Sequence, residues 1–152
     1  MQTKNLFLII LVFFTAACSQ NEDPYQAYAN GNYEIAKTKL VPLAEEGDVQ
    51  AMTYLGAIYQ MDQNYVEAIK HYTTAAEQNY APAQYNLGVI LHEGLGIKQN
   101  LSEAYGWFYL AIEQGHSKAE DQMHNMSSEL TPNQIMKAKE WVKNQLKNQK
   151  QF

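Results

Sequence analysis

Residues 83–115 read AQYNLGVILHEGLGIKQNLSEAYGWFYLAIEQG, and this stretch decides the fold. Ala83, Leu87 and Leu91 recur every four residues, the spacing of one helical face. Gly94 and Gly96 interrupt that pattern. Asn100 then offers a side-chain oxygen to a helix N-terminus, with Glu103 three residues on as in a capping box. Ala104, Phe108 and Ala111 form the apolar face of a second helix, and Gly115 supplies its stop. The unit is helix, short loop, helix.

The same unit recurs in both directions. Shifted by 32 residues, Ala51, Leu55, Gly56 and Ile58 fall on Ala83, Leu87, Gly88 and Ile90. Asn32, Tyr33, Ala36, Leu40 and Ala44 fall on Asn64, Tyr65, Ala68, Tyr72 and Ala76 at the same shift. The segment between His92 and Asn100 is longer than that between Gln60 and Asn64, so the register slips to 36. At that shift Ala68, Tyr72, Ala75 and Glu77 fall on Ala104, Phe108, Ala111 and Glu113, with Ala83 on Ala119 and Leu87 on Met123. Each unit thus pairs an A helix with a B helix. Glycine inside a helix costs about 1 kcal/mol relative to alanine, so its return at Gly56 and Gly88 predicts a neighbouring helix too close to admit a Cβ. Ala68 and Ala104 would receive that neighbour, with Tyr72 and Phe108 filling the space above.

These residues resemble the Sel-one-like repeat, a relative of the tetratricopeptide repeat. The telling segments are Ala83, Leu87, Gly88, Leu91, Gly94 and Gly96, followed by Asn100, Ala104, Trp107, Phe108, Ala111, Gln114 and Gly115. The unit at 49–80 lacks the Gly-rich loop and looks nearer the tetratricopeptide form. The resemblance covers residues 32–130 and implies an all-α fold: an α-α superhelix of about two and a half helix pairs with a concave face.

A repeat domain over 25–130 is followed by a C-terminal capping helix with a basic tail over 131–152. Thr131 as N-cap, Pro132 at the first helical position and Gln134 at the third mark that start. Ile135, Ala138, Val142 and Leu146 form its apolar stripe, flanked by Trp141, to close the last open face. At the other end, residues 24–46 give a short leading helix and a B-type helix.

Residues 1–17 read as a signal peptide. Lys4 is positive, Leu6 to Phe14 are apolar, and Thr15, Ala16 and Ala17 are small. The apolar run is too short to span ~30 Å of hydrocarbon, which takes about 20 residues. Small residues before Cys18 resemble the lipobox of bacterial lipoproteins, in which that cysteine carries the lipid; Thr15 departs from the leucine usual at its position. Residues 18–24 form the lipidated tether. Ser19 after the cysteine resembles the outer-membrane sorting pattern, so the protein is expected in the cell envelope, on the outer membrane and facing the periplasm.

Residues 19–132 carry 15 acidic residues and 5 Lys, whereas residues 133–152 carry Glu140 against Lys137, Lys139, Lys143, Lys147 and Lys150. The basic tail reads as a solvated helix face, or as a contact with anionic lipid or with the acidic body. There is no Arg, which argues against nucleic-acid recognition.

No catalytic residue, metal site or cofactor is expected. His71, His92, His116 and His124 lack ligand spacing, Gly94-Leu95-Gly96 precedes no strand, and no nucleophile elbow or phosphate loop occurs. Some secreted, cysteine-rich members of the family are described as β-lactamases; they pair cysteines in each unit, and this chain has one.

The resemblance implies that A helices line the concave face. Tetratricopeptide groove positions carried over residue by residue are Gln50, Thr53, Ala57 and Gln60, then Tyr85, Val89 and His92, then Lys118, Asp121 and Asn125. The expected function is a membrane-anchored periplasmic scaffold that binds a protein or peptide there. The alternatives are a surface or secreted factor acting on other cells, and a hydrolase of β-lactams or cell wall.

Overall fold

A computed structural model describes residues 22–149. Its helices are α1 (Pro24–Ala29), α2 (Tyr33–Glu45), α3 (Val49–Met61), α4 (Tyr65–Glu77), α5 (Ala81–Glu93), α6 (Leu101–Glu113), α7 (Ser117–Met126) and α8 (Pro132–Gln149). No strand occurs among the described residues. The chain is an all-α repeat solenoid, as the repeat register requires. Cys18 and the apolar run before it lie outside the described residues.

Helix starts are chemical. The Asp48 carboxylate accepts from the Gln50 and Ala51 amides at 2.8 and 3.1 Å, and Asn64 and Asn100 accept from the Glu67 and Glu103 amides at 3.4 and 3.2 Å. The Asn100 side chain also donates to Glu103 at 2.9 Å, so the glutamate grips the cap side chain rather than its backbone. Thr131 and Gln134 close a full capping box, 2.9 Å from the Thr131 amide to Gln134 Oε1 and 3.3 Å from the Gln134 amide to Thr131 Oγ1. Each such cap stabilises by about 1 kcal/mol. Stops use left-handed backbone: Asn79 ends α4 at φ 66° and Gly115 ends α6 at φ 82°.

From α1 to α7 each helix packs on the next. Positions that coincide under the repeat shift share a fate. Leu40, Tyr72 and Phe108 are all fully buried, as are Ala36, Ala68 and Ala104; burying a side chain of Leu or Phe size stabilises by about 1.5–3 kcal/mol.

The internal glycines do meet a neighbouring helix, but through a ring rather than its backbone. A Cβ at Gly56 would lie 2.6 Å from the Tyr72 ring, and one at Gly88 would lie 2.7 Å from the Phe108 ring. In each unit the B-helix aromatic occupies the space that a side chain on the A helix would fill.

The last helix packs on α6. Gly106 admits Trp141, whose ring would be 2.5 Å from a Cβ there, and Trp141 meets Trp107 edge-on at 4.9 Å. Ala138 and Val142 are buried, but Leu146 remains 41% exposed, so the stripe seals only part of the open face.

Candidate functional site

Under the repeat shift the expected groove positions form three rows, on α3, α5 and α7. Gln50 is exposed and Ala57 half-buried at the first row. Thr53 is not a groove residue: it is only 6% exposed, and its hydroxyl donates to the Val49 carbonyl at 2.8 Å. A short side chain that satisfies itself on its own helix offers nothing outward. Gln60 is half-buried, and its Oε1 accepts from the Tyr72 hydroxyl at 3.1 Å. It ties α3 to α4.

The α5 row is the most structured. Tyr85 stacks on His116 at 4.6 Å and leans on Phe108 at 5.9 Å, which fixes an aromatic half in and half out of the surface. Val89 packs against the core beside it. His92 lies 3.3 Å from Glu129 and its backbone carbonyl accepts from Gln99 at 2.7 Å. At the third row Lys118, Asp121 and Asn125 are all exposed. The rows therefore present polar groups around one anchored tyrosine, flanked by valine.

Sequence reasoning missed a tyrosine cluster at the N-terminal end. Tyr54 on α3 meets Tyr25 at 5.1 Å and Tyr28 at 4.8 Å, both edge-on. Tyr28 meets Tyr33 at 5.4 Å. Tyr25 donates to Asp48 at 3.2 Å; burial, then the Asp48 charge, push its hydroxyl up to about 12. The available signal was the count of 11 tyrosines in 152 residues, but pairing α1 with α3 needs the three-dimensional register.

The histidines are scattered. His71 stacks on Tyr59 at 5.5 Å, over which Lys37 sits at 4.4 Å; burial holds the His71 pKa below its ordinary value. Burial also lowers His116, partly offset by its own backbone hydrogen bond. Among the described residues no three His, Cys, Asp or Glu gather in a way that could hold a metal, and no helix is long and apolar enough to cross a membrane.

Comparison with known proteins matches residues 49–80 and 81–116 to the Sel1 repeat family. Both units match the Sel1 repeat, the one at 49–80 included although it lacks the Gly-rich loop. A Sel1 repeat protein from Oxalobacter formigenes superposes with a TM-score of 0.65 at 34% identity, over 70% of this chain and 45% of that one. The protective antigen c5321 of uropathogenic Escherichia coli shares the fold, with a TM-score of 0.59 at 24% identity over 76% of this chain and 33% of that one. In sequence, the chitin synthase regulator SKT5 of Malassezia restricta is 34% identical over 67 residues, 44% of this chain and 5% of that protein. The DAP3-binding cell death enhancer 1 of Rattus norvegicus is 34% identical over 93 residues, 60% of this chain and 18% of that protein. The chain thus spans less than a fifth of the length of these two relatives.

Proposed function

We propose that this Sel1-repeat protein is a binding scaffold that holds a protein or peptide segment along the exposed rows of α3, α5 and α7. One observation carries the reading: Tyr85 is fixed by His116 and Phe108 at the centre of those rows. A rigid aromatic ringed by hydrogen-bonding side chains suits an extended peptide, since it loses little entropy on binding. The names of two relatives, one a DAP3-binding protein and one a regulator of another protein, support a role exercised through partners. No nucleic acid, cofactor or catalytic group enters the proposal.

Anchoring belongs to the same proposal. The apolar run at 6–14 and the small residues before Cys18 support a lipid on that cysteine, placing the scaffold on the outer membrane and facing the periplasm. Mass spectrometry of the mature N-terminus tests this: a diacylglyceryl-modified Cys18 is expected, and an unmodified cysteine within a longer chain overturns it.

The binding face is tested by quantitative pull-down from detergent-solubilised envelope, comparing the wild type with Tyr85→Ala combined with Gln50→Ala. Recovery of specific partners is expected to fall in the double variant. Equal recovery of every partner by both proteins removes this face from the account.

A further inference from the structure

A cleft of about 450 Å³ lies between α6 and α8, floored by Tyr105, Tyr109, Val142 and Leu146. Tyr109 is 38% and Leu146 41% exposed, so apolar surface here is uncovered. Lys139, Lys143 and Lys147 line the same cleft from α8. Their four-residue spacing places them about 6 Å apart along the helix, and none is in an ion pair among the described residues. Tyr105 also floors an adjoining depression whose far wall is α7, with Glu120 and Asp121. One trough therefore runs over α6, basic on its α8 side and acidic on its α7 side.

The charge is particular to this end. Between α2 and α4 the corresponding cleft carries Glu45 and Glu67, beside Lys70. Between α4 and α6 it carries Glu77 and Glu103, and is narrowed to about 190 Å³ with Trp107 and Trp141 in its walls.

We propose that the trough over α6 docks an amphipathic helix of another protein, with its apolar stripe on the tyrosines and a row of carboxylates along the flank facing α8. An apolar floor between two helical walls suits a helix laid lengthwise. Carboxylates four residues apart match the lysine spacing. The acidic α7 wall repels carboxylates on the opposite flank, which fixes the orientation of the docked helix, and it equally disfavours an anionic membrane surface. This surface shares Asp121 with the α3, α5 and α7 rows, but its tyrosine floor and its lysine wall lie outside them, so the two proposals are tested by different residues.

The test uses the full chain and fluorescein-labelled synthetic helical peptides of the length of α8. One has a leucine stripe with Glu every fourth residue on one flank, and its counterpart has Lys in place of Glu. Fluorescence anisotropy at low salt is expected to show saturable binding of the Glu peptide, about tenfold tighter than the Lys peptide, the scale of two exposed ion pairs. Lys139→Glu with Lys143→Glu should reverse that preference, Leu146→Ser should weaken both peptides, and Tyr85→Ala should change neither. Circular dichroism checks that the exposed substitutions leave the fold intact. Absence of saturable binding, equal binding of the two peptides, or an unchanged preference in the lysine variant overturns the proposal. So does binding to anionic phospholipid vesicles, lost in the lysine variant, without any peptide preference.

Discussion

An added Cβ at Gly56 or Gly88 would collide with the Tyr72 or Phe108 ring, whereas the corresponding position in α7 is His124, which is exposed. The two units that match the Sel1 repeat and the C-terminal segment share a register and differ in that contact. Where glycine faces an aromatic, the A and B helices close into a hairpin. After α7, where it does not, the last helix packs on α6, through Gly106 and Trp141. The Lys-lined cleft appears at the end of the stack where that contact is missing.

The comparison is broken most severely by removing the ring. Phe108→Ala and Tyr72→Ala should each destabilise by about 3–5 kcal/mol, read by urea denaturation. Tyr72→Phe should cost only about 1 kcal/mol, the worth of its hydrogen bond to Gln60. A comparable loss from both Tyr72 variants would mean that the hydroxyl, not the ring, holds the hairpin.

The C-terminal contact is sharpened by Gly106→Ala. Overpacking against Trp141 costs about 1–3 kcal/mol, against a helix-propensity gain of about 1 kcal/mol. The expected result is a red shift of tryptophan emission as Trp141 undocks, with far-ultraviolet ellipticity nearly unchanged. An unshifted emission spectrum would place α8 elsewhere.

The smallest effect is on pH. His71 and His116 are held below their ordinary pKa by burial, so the unfolded chain binds protons before the folded one. Their contribution is complete above about pH 6.5 and declines as pH falls toward the folded values. His71→Gln and His116→Gln should each flatten the loss of melting temperature between about pH 7 and pH 5.

What was legible in the sequence was local or periodic. Asn64, Asn100 and Thr131 cap helices because a cap involves only the next three residues, and the positions equivalent to Phe108 are buried because the repeat enforces one environment. Gly56 and Gly88 announced a close neighbour, but whether a ring or a backbone filled the space depends on rotamers that sequence spacing does not carry. Gly106 gave no such signal, since its partner Trp141 is neither at a repeat offset nor in an adjacent helix. In the proposed binding rows, Tyr85 emerged at the surface while Thr53, its equivalent, did not: the repeat register fixes which way a side chain points, but its size decides whether it gets out.

The Gly–aromatic contact is tested most directly by a double-mutant cycle between Gly88→Ala and Phe108→Leu, followed by urea denaturation. In the wild-type background Gly88→Ala should destabilise by about 1–2 kcal/mol, overpacking less helix propensity. With leucine at 108 the clash is relieved, and the same substitution should become neutral or stabilising. An identical penalty in both backgrounds would show that the glycine answers to something other than the ring.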